Sequence, residues 1–370
     1  MKKNKIMILK SLKYFENKDK ENYWEIRDVF FSKQNIVVGL NATGKTRLTN
    51  IILNLASILS TKVKLNGNWF LTFENGNNII YTFNLQISNG LIEREEIKEN
   101  GRILLQRENG NGEIYSKKEE RMHSFNPPLD ELTLNVRRDT ADYPFLEEFI
   151  NWSKNLKAYS FSGVKNDQIT IPHRPEGFIE TLTTVPYILK QASDDKDIID
   201  KIIKDMNDIG YSLEKIFAKE QSIQPNLQNI FTVAVKESNL KCVTEQATLS
   251  NGMFRALCLI VIIEYLLKIE QNSTIIIDDL GEGLDFDRST RLTKLLFQKT
   301  KESNLQLIIT SNDRFLINSV AMQNINYLER NGHIVQSYNY YNNKNIFDKF
   351  LLSGLNNFDF INPSLSHLKN

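Results

Sequence analysis

The sequence lacks the residues that would mark a disulfide-stabilised protein or a structural zinc site. Cys242 and Cys258 are the only cysteines among 370 residues, and neither belongs to a CxxC pair or a Cys/His cluster. The four histidines are scattered without the close spacing that metal ligands normally have. A disulfide framework is therefore excluded, and a reducing compartment is expected.

Long apolar runs and a strong charge of either sign are also missing. The formal net charge is +1, so the overall electrostatics require neither nucleic acid nor an anionic membrane, although a local basic patch stays open. The most apolar run, ALCLIVIIEYLLKI, contains Glu264 and is too short to span a bilayer, so it predicts a buried helix. The opening MKKNKIMILK has too short an apolar run for a secretory signal. We expect a cytoplasmic protein without a membrane segment.

The stretch NIVVGLNATGKTRL matches a phosphate-binding pattern. Gly39 to Thr46 fits G-x-x-x-x-G-K-[ST] without a mismatch. In this pattern the glycines allow backbone N–H groups to point at phosphates, the lysine reaches the β and γ oxygens, and the hydroxyl faces magnesium. A β-branched strand precedes the loop and apolar residues at helical spacing follow it, which puts the phosphates at a helix N-terminus. We predict nucleotide binding by Gly39, Asn41, Ala42, Thr43, Gly44, Lys45, Thr46 and Arg47.

Carboxylates follow a second predicted strand, in STIIIDDLGEGLD. Ile275–Ile277 have the pattern of a buried strand, and Asp278 stands at its end as the expected second magnesium ligand beside Thr46. Asp279 comes next, where a carboxylate would polarise an attacking water. A third strand, LQLIIT, leads to Asn312, at the position of a γ-phosphate sensor.

A second anion site is predicted in TLSNGMFRAL. Ser250 and Gly252 lie at the start of a helix, where a hydroxyl and backbone N–H groups favour an anion. A chain with one nucleotide rarely needs two such sites. We therefore expect Ser250 and Gly252 to meet the γ-phosphate that is held by a second copy of the chain.

These three motifs together resemble those of the ABC-type ATPases, with Walker A at 39–46, the signature at 249–252 and Walker B at 275–278. The resemblance implies an α/β fold, namely a P-loop NTPase head with a mixed central sheet, an antiparallel β lobe and a helical insertion. It also implies an enzyme that binds ATP and Mg²⁺ and dimerises around the nucleotide. Two departures stand out: the usual catalytic glutamate is Asp279, and the usual switch histidine is Asn312, which cannot titrate. We expect slow hydrolysis, with Glu282 either an alternative base or a solvated loop residue.

The segment between Walker A and the signature indicates the branch of the family. Residues 67–116 alternate in short strands with Asn-Gly turns, which predicts an antiparallel meander, and residues 177–220 predict a group of helices. We divide the chain into an N-terminal part of the head (1–165), a helical insertion (166–225) and a C-terminal part of the head (226–370). This organisation resembles the RecF, SMC and OLD-type ATPases.

That group includes ATPases of prokaryotic anti-phage cassettes, which work with a separate effector such as a nuclease or toxin. The resemblance therefore implies an ATPase switch that controls a partner protein. The alternatives are a RecF-like repair protein that binds DNA directly, a transporter ATPase, and a nucleotide-binding scaffold that does not hydrolyse ATP. The insertion length and the β lobe argue against the transporter.

Several roles of the family stay open in this sequence. The side chain that touches magnesium and the attacking water has three candidates: Gln86, Gln106 and Asn135. Arg137 and Arg138, at the end of an expected strand, either contact phosphate or pair with a neighbouring aspartate. An aromatic residue that stacks on adenine has two candidates on the first two strands, with core packing as the alternative: Tyr14 and Trp24.

Overall fold

The computed structural model describes residues 7–61, 65–166, 181–221 and 230–361. Within these ranges the strands are β1 (Ile8–Glu16), β2 (Trp24–Phe30), β3 (Gln34–Val38), β4 (Gly67–Glu74), β5 (Ile80–Ser88), β6 (Leu91–Glu99), β7 (Arg102–Glu108), β8 (Asn111–Ser116), β9 (Arg121–Phe125), β10 (Lys157–Ser160), β11 (Leu213–Gln221), β12 (Ile230–Glu237), β13 (Val243–Glu245), β14 (Ser273–Asp278), β15 (Leu305–Thr310), β16 (Ile325–Asn331) and β17 (Ile334–Asn339). The α-helices are α1 (Lys45–Ser60), α2 (Thr133–Val136), α3 (Pro144–Asn155), α4 (Thr181–Gln191), α5 (Lys196–Asp208), α6 (Asn251–Lys268), α7 (Phe286–Thr300), α8 (Arg314–Asn318) and α9 (Lys344–Leu352).

One large mixed sheet organises the described residues, in the order β10-β14-β15-β3-β16-β17-β2-β1-β4-β5-β6-β7-β8-β9. The first five strands are mutually parallel, so their carboxyl ends meet at one edge, which we call the carboxyl edge. Because β17 is antiparallel to β16 and parallel to β2, the start of β2 and the end of β1 lie at this edge too. The predicted α/β fold with a mixed central sheet is confirmed.

The sheet separates two apolar cores, and alternation along each strand decides which core a side chain enters. On β14, Ile275 and Ile277 face the core around α6, whereas Ile276 faces the core around α1 and α3. On the antiparallel half, Phe73 and Phe83 pack against Phe149 of α3 with ring centroids 5.4 and 5.2 Å apart. Each such buried side chain contributes roughly 1.5–3 kcal/mol.

The predicted meander over 67–116 forms strands β4 to β8. These strands do not make a separate lobe sheet, because β1 pairs with β4 and so joins them to the parallel half. The segment LTLNVRR, predicted to be strand, instead contains the short helix α2, whose start is held by the Glu95 carboxylate accepting from Thr133 N at 2.9 Å.

The region predicted as a helical insertion contains α4 and α5, but its last described part is the strand β11. Leu213 and Ile216 are buried on that strand, and it pairs with β12 in a second sheet of order β11-β12-β13. Two parts of the insertion, residues 167–180 and 222–225, lie outside the described residues. The domain boundaries at 166 and 225 remain predictions.

The apolar run of the sequence forms α6, which is buried on nearly all sides, as predicted. Its Glu264 carboxylate is buried against Lys299 Nζ of α7 at 2.8 Å. Across the described part of the chain, no helix has both the length and the apolarity that a membrane crossing requires.

Candidate functional site

The loop Gly39–Gly44 connects β3 to α1 at the carboxyl edge. Gly44 has φ +101°, a left-handed conformation that favours glycine, and a Cβ there would lie 3.3 Å from the Trp24 ring. Ala42 also has positive φ, +64°. The loop therefore folds back on itself and delivers Lys45 and Thr46 to the first turn of α1.

Lys45 lies over its own loop. Its Nζ donates to the backbone carbonyls of Gly39 at 3.0 Å and Leu40 at 3.1 Å. Burial lowers the pKa of Lys45, and the carboxylates of Asp279 and Asp278 act against that shift. The ammonium therefore interacts electrostatically with the carboxylates of Asp279, the predicted base, and Asp278, the predicted metal ligand.

Thr310, at the end of β15, holds both of those aspartates. Its hydroxyl donates to Asp278 Oδ1 at 2.5 Å and accepts from the backbone N–H of Asp279 at 2.9 Å. Asp279 has φ +56°, which aspartate tolerates better than most residues. Sequence reasoning missed Thr310, because its role depends on the neighbouring strand β14.

The Asp279 carboxyl has the electrostatics of a candidate base. Burial raises its pKa, the nearby charges of Asp278 and Glu282 raise it further, and Lys45 lowers it. A raised carboxyl pKa brings a general base closer to the pH at which it works best. Glu282 is exposed, in agreement with a solvated loop residue.

Asn312 reaches the phosphate loop of the same chain. Its Nδ2 donates to Asn41 Oδ1 at 2.9 Å. The adjacent Asp313 caps α8 and accepts from Ser289 Oγ of α7 at 2.5 Å. The loop that follows β15 is therefore tied to α7 and to the loop that follows β3.

Ser250 caps α6, where its Oγ accepts from Met253 N at 3.2 Å. A Cβ on Gly252 would lie 2.5 Å from the Gly283 carbonyl oxygen, so only glycine fits this contact. Within the described residues, no hydrogen bond joins Ser250 or Gly252 to the loop of residues 39–46. The structure thus does not bring the signature onto the phosphate loop of its own chain.

Arg255 connects the signature helix to two loops of the site. Its guanidinium donates to the carbonyls of Val164 (2.9 Å), Ser162 (2.7 Å) and Glu282 (3.0 Å). The first two carbonyls follow β10, whose last residue, Ser160, is in register with Asp278. Residue spacing in the sequence does not predict this connection, just as it did not predict the role of Thr310.

Of the predicted nucleotide ligands, Arg47 has the most distinctive surroundings. Its guanidinium carbon lies 4.0 Å from the centroid of the Trp24 ring, and its Nη2 pairs with Glu16. Tyr14 and Trp24 are 3% and 2% exposed, so both candidate adenine-stacking rings pack in the core.

The other open candidates lie elsewhere. Gln86 and Gln106 are on β5 and β7, in the half of the sheet remote from β14, and Asn135 is in α2. The residue that is in register with Asp278 on the neighbouring strand is Ser160. Arg138 forms a bidentate ion pair with Glu147, at 2.8 and 3.0 Å, rather than with a neighbouring aspartate.

The chain matches no protein-family model. It matches no curated protein. Among solved structures, the SmcHead bound to the C-winged helix domain of ScpA aligns with a TM-score of 0.54 at 13% identity, over 89% of this chain and 97% of that chain. The fold is that of an SMC head.

Two further SMC heads are similar to the chain. The Smc head domain with an extended coiled coil, bound to the C-terminal domain of ScpA and derived from Pyrococcus furiosus, has a TM-score of 0.49 and 14% identity, with 94% of this chain and 100% of that chain covered. The SMC head domain from Thermotoga maritima has a TM-score of 0.44 and 13% identity, with 90% and 98% covered. The predicted resemblance to the SMC-type group is confirmed for the fold alone, by the head structure that aligns with a TM-score of 0.54.

Proposed function

We propose that this chain is a Mg²⁺-dependent ATPase that closes as a homodimer around ATP and thereby switches a separate effector protein. The observation that carries the proposal is the meeting of Lys45, Asp278 and Asp279 at the carboxyl edge, with Thr310 holding both aspartates. Lys45 neutralises the β and γ oxygens, and the loop N–H groups bind the phosphates.

The oxygen donors suit a magnesium ion. Within the described residues, Asp278 Oδ2 and the hydroxyl of Thr46 accept no hydrogen bond from protein, and Mg²⁺ prefers few carboxylate or hydroxyl ligands together with water and phosphate oxygens. We assign Thr46 and Asp278 to the metal. A magnesium ion bound there would neutralise negative charge on the phosphates.

Asp279 is the residue we assign to the attacking water. Its raised pKa supports the role of base. Its side chain is one methylene shorter than the usual glutamate, and Asn312 cannot accept a proton, so turnover is slow. Slow turnover suits a switch, because the closed state then persists long enough to be read by a partner.

Dimerisation is supported by the signature and by exposed apolar side chains near the site. In the part of the chain that the structure describes, Ser250 and Gly252 have no hydrogen bond to their own phosphate loop. A γ-phosphate held by another copy would satisfy the N-terminus of α6. Leu40, Phe286 and Phe315 are about half exposed, at 49%, 52% and 47%, on the loops and helix starts that surround the site. ATP favours closure because its γ-phosphate contacts both copies only while it is intact.

For the effector, our reading is that the chain belongs to a cytoplasmic anti-phage system. In this system the insertion transmits the conformational change to a nuclease or toxin. Capture of the Asp279→Asn protein from its native cells, with and without Mg·ATP, tests this reading. A stoichiometric protein partner supports it, whereas nucleic acid that dissociates at high salt favours a RecF-like repair role.

Hydrolysis is tested by phosphate release from the wild type, Lys45→Ala and Asp279→Asn. The proposal expects slow release from the wild type only. If the wild type binds Mg·ATP but releases no more phosphate than Lys45→Ala, the protein is a nucleotide-binding scaffold.

A further inference from the structure

Arg47 is held in place by two neighbours although nearly half of its side chain is exposed. It lies on the first turn of α1, directly after Thr46. Its guanidinium stacks on Trp24 at 4.0 Å, and the Trp24 ring is itself fixed in the core at 2% exposure. Stacking restricts the guanidinium plane, so the remaining donors keep a defined direction.

Glu16 binds two donors at once. Its Oε1 accepts from Arg47 Nη2, and its Oε2 accepts from the Tyr14 hydroxyl at 2.6 Å. Because the second donor is neutral and buried, Glu16 keeps a hydrogen bond even if the arginine leaves. The carboxylate is therefore able to release Arg47 without becoming unpartnered.

The sheet separates these residues from the two aspartates. In the order β14-β15-β3-β16-β17-β2-β1, Asp278 and Asp279 follow or end a strand on one side of β3, whereas Trp24 and Glu16 lie on the other side. In the nucleotide site proposed above, the terminal phosphate would face the aspartates. The phosphate nearest the nucleoside would then face Trp24, whose ring lies against Gly44.

We propose that Arg47 is a ligand of the nucleotide phosphate nearest the nucleoside, that Glu16 competes with this phosphate for the guanidinium, and that Trp24 keeps the guanidinium in reach of both anions. The proposal rests on the nucleotide site proposed above. Carboxylate and phosphate accept the same fork of N–H donors, so the exchange replaces one charge-assisted pair by another. Glu16 and Trp24 are positioning residues, and Arg47 is the one that contacts the ligand.

The affinity test uses Mg·ADP, which lacks the γ-phosphate and so separates this contact from hydrolysis and closure. Isothermal titration calorimetry measures Kd for the wild type and for Arg47→Met, Glu16→Gln and the double variant. We expect Arg47→Met to raise Kd roughly tenfold, as loss of one charge-assisted contact does. Glu16→Gln should lower Kd, because it removes the competing charge, and it should have no effect in the Arg47→Met background.

Arg27 supplies the matched control, since its side chain is about as exposed as that of Arg47 and pairs with a carboxylate, that of Glu25 on β2, but has no part in the proposed contact. Arg27→Met should keep the wild-type Kd. Trp24 also supplies an optical readout: with Trp69 and Trp152 replaced by phenylalanine it is the sole tryptophan, and its emission should change with Mg·ADP unless Arg47 is replaced.

The outcomes separate this inference from the proposed function. Wild-type affinity in both Arg47→Met and Glu16→Gln would overturn the inference while leaving the nucleotide site intact. Equal or weaker binding by Glu16→Gln would overturn the competition. If the folded wild type binds no Mg·ADP or Mg·ATP, or if Lys45→Ala binds as well as the wild type does, the proposed function itself fails.

Discussion

The hydroxyl of Thr310 donates to Asp278 Oδ1 at 2.5 Å. The Thr310 hydroxyl oxygen also accepts from the backbone N–H of Asp279, at 2.9 Å. One threonine on β15 thereby fixes the proposed magnesium ligand and the proposed base on β14. Even a small displacement of a catalytic group lowers the reaction rate strongly.

Thr310→Val keeps the volume and removes both hydrogen bonds. We expect phosphate release to fall about tenfold to a hundredfold while the Kd for ADP without magnesium changes little, because the loop of residues 39–46 is untouched. Steady-state phosphate release and calorimetry measure the two effects. Thr293→Val, which removes a buried hydroxyl bonded only to its own helix at Ser289, is the control and should keep wild-type turnover.

Gly252→Ala tests the contact between the signature and the loop before α7. The new Cβ would lie 2.5 Å from the Gly283 carbonyl oxygen, so the two segments must separate. We expect the variant to bind Mg·ADP normally but to fail to dimerise with Mg·ATP, as measured by light scattering. Gly332→Ala, at a turn with open space around it, should dimerise like the wild type; normal dimerisation of Gly252→Ala would show that this contact does not matter.

The buried cluster of Asp205, Lys299 and Glu264 predicts a pH dependence of stability. One lysine lies 2.9 and 2.8 Å from two carboxylates. Burial first, and then Glu264, raise the pKa of Asp205 to about 6, against the opposing effect of Lys299. Because the folded pKa is raised above the unfolded value of 3.8, stability from this group is fully present below that value and is lost as the pH rises through about 6.

Asp205→Asn should therefore raise the melting temperature at pH 7.5, by an amount corresponding to about 3 kcal/mol, and the gain should vanish near pH 4. Thermal melts across this range measure it. Lys299→Met leaves two buried carboxylates facing each other and should destabilise by roughly 3–5 kcal/mol at pH 7.5. A melting temperature of Asp205→Asn that is unchanged or lower at pH 7.5 would contradict this account of the cluster.

The sequence predicted the parts of the site that are encoded locally. The strand–loop–helix at Gly39–Thr46 and the strand ending at Asp278 each have a distinctive pattern within a few residues, and both form as predicted. Ser250 was likewise predicted to start a helix, and it caps α6.

The missed features depend on contacts that are distant in sequence. Thr310, Arg255 and Glu16 gain their roles only when segments from different parts of the chain come together in the fold. The local pattern of LTLNVRR predicted a strand, but the segment contains the helix α2. The start of this helix is held by Glu95, which lies on β6. For Gln86 and Gln106, residue type suggested a metal contact that the strand order rules out within one chain.

The most direct test of the central claim is the mass of Asp279→Asn in solution, measured by sedimentation or light scattering with Mg·ATP, with Mg·ADP and without nucleotide. This variant should bind ATP and stall before hydrolysis. The account predicts a dimer with Mg·ATP only, lost when Ser250 is replaced by arginine. A mass that is the same in all three conditions, although calorimetry shows that Mg·ATP binds, would contradict it.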